Sequence, residues 1–497
     1  MVEVQSAGCV PVGAAPGIPA PPAAVDLRLD GNQGRPPSAA FWREVARLPV
    51  ELLRAYPSGH ALAAALAARH GVTPDRVLLG AGADELLDRV CRAVLEPGRQ
   101  AVLPVPTFEM LERYVGLAGA EPVTVPWPDG DFPRAAVLAA ITARTGLVAV
   151  VSPNNPTGLW ASADDLRAIA AAAPHALVVL DHAYAEFAAE DLTAVALTLP
   201  NVLVVRTFSK AWGLAGLRVG YAIGPATVIR WLAAVGSPFT AGAFARAVAL
   251  LRLQTGADEL REHVTAAVRE RELLAAQVQA LGLRPLPSQG NFVFVRPRDP
   301  DWLRDALAGL GIAVRAFAFR GLAADGVRIT LPADAAAFAR LQHALAAACA
   351  PEAVLCDLDG VLVDIEQRRA LVDGPGLAAL AARLPLGVVT GCPRRLAESV
   401  LRQHGLLAHV RALVCAEDAP PKPDPTPVRR CLQLLGATRA WFLGDNPGDV
   451  QSARGAGVVP LAVLPHGVGA EQHAATLRAA GAARLIEGVT AMAALLP

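Results

Sequence analysis

The chain has 497 residues, 53% of them hydrophobic, and its 45 basic side chains are matched by 45 acidic ones. Such a length suggests about three domains at roughly 100–200 residues each. The apolar content argues against wholesale disorder, and the neutral balance gives no sign of a nucleic-acid surface or an acidic partner.

Residues 1–25 are rich in Ala, Pro and Gly and read as a flexible N-terminal arm. They lack a basic region followed by an apolar run, so a signal peptide is not expected, and no apolar run in the chain is long enough to predict a membrane span. From about 40 to 235, helical patterns alternate with short apolar runs: VLLGAGADELLDRVCRAVL, AVLPVPTFEML, GLVAVVSPNNPTG, ALVVLDHAYAEF and NVLVVRTFSK. Each apolar run precedes polar residues. The alternation predicts an α/β fold with a mostly parallel sheet, whose ligands gather at the carboxyl ends of the strands.

A long helical region follows near 240–281, and then QGNFVFVRP, GIAVRAF and GVRIT read as strands of a smaller α+β domain ending near Ala348. The expected division is a first part over 26–348. Its large domain is about 45–235, and its small domain is the N-terminal segment plus about 236–348. After the short linker CAPEA a second, Rossmann-like α/β alternation runs over 352–497 (AVLCDLD, LGVVTG, ALVCAED, AWFLGD, VPLAVL). Seven cysteines are scattered without a CxxC pair. That disfavours a disulfide framework or zinc site and fits a reducing, cytoplasmic setting.

Only two lysines occur, Lys210 and Lys422, so the other 43 basic residues are arginine. Arginine stays protonated, whereas a buried lysine can become a free amine. Drift toward arginine would spare lysine only where a primary amine is needed, which makes both survivors candidate functional residues.

Lys210 follows the strand VVRTF together with Ser209, and Arg218 lies eight residues on. Asp181 ends the strand LVVLD with Tyr184 three residues later, and Asn155 sits in SPNNPTG. Singly these are ordinary cap and turn residues. Together they meet the needs of pyridoxal phosphate (PLP). That cofactor requires an amine for its aldehyde, a carboxylate against its pyridinium nitrogen and donors at its phenolic oxygen. It also requires a cup of N–H, hydroxyl and guanidinium groups for its phosphate. Lys210, Asp181, Asn155 with Tyr184, and Gly82-Ala83-Asp84 with Ser209 and Arg218 supply these in turn.

On SPNNPTG and SKAWGLAGLRVG, residues 28–348 resemble the fold-type I aminotransferases, and most of all the histidinol-phosphate aminotransferases. The resemblance implies that Phe108 in PTFEM stacks on the cofactor ring. It implies that Tyr56 in RAYP reaches the phosphate of a neighbouring subunit's cofactor, and hence a homodimer. Arg328 in GVRIT would clamp the substrate carboxyl or an equivalent polar end, Arg315 in IAVR would approach a phosphate or side chain, and Asn291 belongs to the family's NF element. The substrate half departs from the family. GIPAPPAAVDLRLD lacks the usual tyrosine, the Asn-Glu-Asn-Pro element is GNQG, and LPAD follows GVRIT in place of a Gly-containing turn.

In the second part Asp357 and Asp359 follow the strand AVLC, Thr390 follows LGVV, Lys422 lies in APPKPDP, and Asp445 and Asp449 follow AWFLG. A carboxylate can attack phosphorus if a divalent cation offsets the repulsion, and a second carboxyl two residues on can protonate the leaving oxygen. A hydroxyl and an ammonium can hold the phosphoryl group, and further carboxylates suit Mg²⁺. These motifs resemble the haloacid dehalogenase (HAD) superfamily. The resemblance implies Asp357 as nucleophile, Asp359 as acid/base, and Thr390 and Lys422 on the phosphoryl group. Mg²⁺ would be held by Asp357, Asp359 through its carbonyl, and Asp445, with Asp449 in support. The acid at 359 favours a phosphatase, and too few residues lie between Asp364 and Thr390 for a full helical cap.

The expected whole is a bifunctional enzyme: an aminotransferase using a small amino donor and keto acceptor, and a phosphatase using a phosphate ester, with consecutive steps as one arrangement. One alternative is a PLP-dependent decarboxylase or specialised aminotransferase in place of the first activity. Another is a PLP-binding regulatory or docking protein with an inactive second domain.

Overall fold

The computed structural model describes residues 25–58, 60–318, 325–464 and 470–496. The arm expected over residues 1–25 therefore lies outside the described residues, apart from Val25.

Runs such as TGLVAVV, LVVLD and VLVVRT are buried on both faces, as strands inside a parallel sheet must be. They form the centre of a seven-stranded sheet. Its order is Val77–Gly80, Gly220–Ile223, Val202–Thr207, Leu177–Asp181, Thr145–Val151, Gln100–Val105 and Glu121–Pro126. Only Gly220–Ile223 is antiparallel to its neighbours. Alternate residues feed opposite cores: Val148, Val178 and Val204 on one face, Ala149, Val179 and Val205 on the other. The chain reverses direction across the sheet after Gln100–Val105, and the crevice this leaves lies at the strands' carboxyl ends.

The predicted helical region near 240–281 is two helices, Ala243–Thr255 and Ala257–Ala280, divided at Gly256. A Cβ at Gly256 would lie 2.7 Å from the Arg252 carbonyl oxygen, so the tight junction needs glycine. The first helix packs on Ala39–Val45 and His60–His70 of the large domain, and the second packs on the small domain. There a four-stranded antiparallel sheet runs Arg315–Phe317, Gly326–Thr330, Phe292–Arg296 and Arg284–Pro285. The N-terminal strand Leu27–Arg28 pairs with Ile312–Ala313, which ties the start of the described chain to this domain.

The second part is a six-stranded parallel sheet in the order Val410–Val414, Leu386–Val389, Ala353–Cys356, Ala440–Gly444, Val459–Val463 and Arg484–Ile486. Ala353–Cys356 is central and the chain switches sides around it, which opens the crevice at Asp357. Where a cap domain would be inserted there is a short hairpin, Val363–Asp364 against Arg369–Ala370. One face of this sheet is covered by Pro300–Gly309 and Ala335–Cys349 of the aminotransferase-like part, and the apolar residues of both parts form one continuous core. Trp441 donates from Nε1 to the Ala347 carbonyl at 2.8 Å, and Arg484 reaches Asp299 and Asp305, each at 3.2 Å.

Candidate active sites

The first site is built at the carboxyl ends of the large sheet. Asp181 is the last residue of its strand and is buried, and its Oδ1 accepts from the Ala183 N–H at 3.2 Å. Burial pushes its pKa up to about 7, while the Lys210 charge works in the opposite direction. A buried carboxylate so weakly compensated is suited to a cationic ring N–H. Lys210 leaves the next strand, with Nζ 3.2 Å from the Gly31 carbonyl and over the Tyr184 ring.

The phosphate end forms where Gly82–Val94 begins. Ala83 and Asp84 of its first turn line the same cavity as Ser209 and Arg218; Arg218 pairs with Asp84 at 3.3 Å and donates from Nη1 to Ser209 Oγ at 3.4 Å. Gly82 has φ +85°, a left-handed backbone conformation that favours glycine. Ala83, Asp84, Phe108, Asn155, Asp181, Tyr184, Ser209, Lys210 and Arg218 all line one cavity. The donor set therefore fits PLP.

Tyr56 is not brought to this cavity. It is 81% exposed, and its ring lies 4.7 Å from that of Phe239 on the surface.

On the substrate side, Arg328 and Arg315 stand directly opposite each other in the small-domain sheet. Arg328 is buried and donates to Asn155 Oδ1 and, at 2.6 Å, to the Asp30 carbonyl. Arg315 instead pairs with Glu109 at 2.7 Å. Asn291 donates to the Asn32 carbonyl at 3.3 Å.

Asn32, Asp30 and Glu109 are site residues that motif reading passes over. Asn32 is buried at φ +52°, donates from Nδ2 to the Tyr184 hydroxyl at 2.9 Å, and accepts from Thr330 Oγ1 at 2.8 Å. The signal was GNQG itself, an asparagine kept inside an otherwise altered element.

In the second site Asp357, Asp359, Thr390, Lys422 and Asp445 lie at strand ends or in the adjoining loops, whereas Asp449, expected there too, lies in the first turn of the helix Pro447–Gly455. Asp357 accepts from Lys422 Nζ at 2.9 Å through Oδ2 and from the Leu358 N–H at 2.7 Å through Oδ1. Burial, with the Asp449 charge beside it, raises its pKa to about 7, and Lys422 opposes the rise. Lys422 also pairs with Asp449 and donates to the Val389 carbonyl at 3.2 Å. Burial works to lower its pKa, but the two carboxylates carry it upward.

Asp449 Oδ2 accepts from the N–H groups of Asp445 and Asn446 at 3.2 and 3.1 Å, which fixes its orientation. Oxygens of Asp357, Asp445 and Asp449 lie within 4.8 Å of one another, a hard-oxygen cluster suited to Mg²⁺. The Asp359 carboxylate is outside that cluster. It is exposed and accepts from the Ile365 N–H at 3.0 Å, so the hairpin holds it at the mouth. Thr390 is buried, with Oγ1 accepting from the Cys392 N–H at 3.1 Å.

The family model "Aminotransferase class I and II" matches residues 28–345, which takes in every residue of the first cavity. The chain belongs to this aminotransferase family. A second family model, "Haloacid dehalogenase-like hydrolase", matches residues 376–463, so an aminotransferase and a HAD-like domain share one chain.

Among curated relatives, the aromatic amino acid aminotransferase of Thermobifida fusca is 40% identical over 289 residues, 57% of this chain and 79% of the relative. That of Mycobacterium bovis (strain BCG / Pasteur 1173P2) is 39% identical over 281 residues, 55% of this chain and 78% of the relative. The PLP complex of histidinol-phosphate aminotransferase from Sinorhizobium meliloti superimposes with TM-score 0.60 at 28% identity, covering 66% of this aminotransferase chain and 91% of that one. Aspartate aminotransferase from Thermus thermophilus with maleate gives TM-score 0.57 at 26% identity, covering 66% and 92%. Among the described residues, no helix of this aminotransferase is long and apolar enough to cross a membrane.

Proposed function

We propose that the chain is a bifunctional enzyme in which a PLP-dependent aminotransferase is joined to a Mg²⁺-dependent phosphatase acting on a small phosphate monoester. One observation carries both halves: each of the two lysines in the chain lies in one of the two sites, beside carboxylates. Lysine in so arginine-rich a chain marks a need for an amine or a compact ammonium.

In the first site Asp181 would hold the protonated ring nitrogen, Asn155 and Tyr184 the phenolic oxygen, and Ser209, Arg218 and the Ala83–Asp84 backbone the phosphate. PLP when bound supplies an electron sink at the substrate's Cα–H bond. Lys210 Nζ is the amine placed to take and return the Cα proton. Arg328, buried and held by neutral acceptors, is the cation for the substrate's anionic end.

In the second site Asp357 would attack the phosphoryl group, and Asp359, held at the mouth, would serve the leaving oxygen. Thr390 and Lys422 would hold the transferring oxygens. Asp357, Asp445, Asp449 and the Asp359 carbonyl are the groups that would hold Mg²⁺, which supplies charge neutralisation.

The names of the relatives and the engagement of Arg315 by Glu109 support an amino acid with one carboxylate as the first substrate. They favour separate substrates over a phosphorylated amino product handed from one site to the other. Exposed apolar side chains at Trp42, Leu53, Tyr56 and Phe239 support a homodimer through the aminotransferase part. The unpaired described cysteines support a cytoplasmic setting.

The test follows amino transfer to a 2-oxo acid and phosphate release from a panel of monoesters, each with and without chelator. Amino transfer that needs no metal and phosphate release that needs Mg²⁺ are the expected pair. Loss of both on chelation, or neither activity with any substrate, would refute the reading.

A further inference from the structure

Three charged side chains meet beside the cofactor cavity. Arg315 and Arg328 are register partners in adjacent antiparallel strands, so they share one face of the sheet. Both lie against the Phe317 ring, 5.0 and 5.4 Å from its centre. Two like charges so placed repel.

The third charge is Glu109, the first residue of the helix Glu109–Leu117, directly after the cavity residue Phe108. It spans from the large domain to the small one and holds Arg315 at 2.7 Å. Arg328 has neutral acceptors, Asn155 Oδ1 and the Asp30 carbonyl, and the Asp30 carboxylate is already taken by Arg28 at 2.7 Å. Burial brings the Arg328 pKa down to about 10 and Arg315 adds to that, while Tyr184, Asp30 and, to a smaller extent, Glu109 oppose it. With Asp30 balanced by Arg28, the two guanidiniums of Arg315 and Arg328 and the Glu109 carboxylate leave a single net positive charge for substrate.

We propose that Glu109 sets the charge of the preferred substrate. By holding Arg315 it leaves Arg328 as the uncompensated cation, and the site favours a substrate with one anionic end over one carrying a second carboxylate or a phosphate. Glu109 is thus a positioning and specificity residue acting through Arg315. The inference rests on the aminotransferase reading of this site and deepens it.

The experiment uses the full-length holoenzyme and single-turnover half-reactions with three amino donors: phenylalanine, glutamate and O-phosphoserine. Each is followed by the change in cofactor absorbance, so that binding and the maximal rate separate. Glu109→Gln, at a half-exposed position where folding is not at stake, is compared with wild type.

The expected result is roughly fivefold tighter apparent binding of glutamate and O-phosphoserine, the scale of one exposed ion pair. Phenylalanine should change by less than about twofold, and the gain should shrink at high salt. In an Arg315→Gln background the same Glu109 substitution should have no effect, because no guanidinium remains to be released. An equal change for all three donors, or a gain that survives in the Arg315→Gln background, overturns the proposal. A wild-type holoenzyme that reacts with no amino donor overturns the aminotransferase reading itself, and that outcome is separate because no variant is needed to see it.

Discussion

The indole of Trp302 rests against that of Trp441, ring centres 4.7 Å apart and planes at 59°. Trp302 belongs to the aminotransferase helix Pro300–Gly309, and Trp441 is fully buried in the HAD-like sheet. The same helix ends at Gly309, where a Cβ would come within 2.7 Å of Ala483. The first domain therefore roofs the sheet of the second, and the seam is a core as much as a surface.

That shared core predicts linked stability. Trp441→Ala leaves a large cavity under the roof and should cost about 3–5 kcal/mol. Calorimetry should show the melting transition of the whole chain moving down. Amino transfer and phosphate release should be lost together when samples are heated and assayed. Amino transfer that resists heat unchanged while phosphate release is lost would show that the two parts are independent.

The two lysines predict two separable losses. Lys210→Ala should abolish the visible absorbance of the holoenzyme and lower amino transfer by at least about a thousandfold, as expected when a nucleophilic amine is removed. Its phosphate release should be kept. Asp357→Asn should do the reverse. A Lys210→Ala protein that keeps its visible band would mean the cofactor is held elsewhere.

Asp181 makes a pH prediction for the cofactor-free protein. Its folded pKa, about 7, lies above the ordinary 3.8, so between those values the native state holds a proton that the unfolded chain gives up. Stability therefore falls as pH rises from about 4 to about 7 and levels off above that. At about 1.4 kcal/mol per pH unit the full cost approaches roughly 4 kcal/mol. Denaturant melts of cofactor-free wild type and Asp181→Asn should differ in slope across this window, with the asparagine variant lacking the drop. Parallel pH profiles would remove the argument that Asp181 awaits a cation.

How much of this was legible in the sequence follows from the range of each interaction. Asp181, Lys210, Asp357 and Thr390 announced themselves because apolar runs end at them, and a parallel sheet puts such ends on one rim. Asp445 of the carboxylate cluster followed for the same reason, while Asp449 enters it from the first turn of the helix Pro447–Gly455.

What sequence could not show are pairings chosen by tertiary fit. Glu109 and Arg315 are separated by 206 positions, and the Arg328–Asn155 bond by 173. Neither spacing leaves a periodic trace. Asn32 was hidden differently: its element departs from the family's pattern, yet its left-handed backbone and buried amide lock Tyr184 in place. The helix Pro300–Gly309 shows an apolar face in sequence, but nothing in a periodicity says that part of that face will cover the sheet of another domain.

Lys422 makes the sharpest prediction, because its ammonium joins two of the three clustered carboxylates. Lys422→Met removes that positive charge while keeping most of the apolar stem, so the cluster becomes more negative. A divalent cation should then bind at least as tightly as in wild type, since it gains attraction and no longer competes with the ammonium. Turnover should move the other way. In the proposed phosphatase reaction the ammonium would stabilise negative charge on the transferring phosphoryl oxygens, and losing such a donor costs about 10²–10³ in rate. Mg²⁺ titration by calorimetry, set beside phosphate-release rates at saturating Mg²⁺, separates the two effects. If metal binding and turnover were lost in proportion, Lys422 would be holding the carboxylates in place for the metal rather than acting on the phosphoryl group.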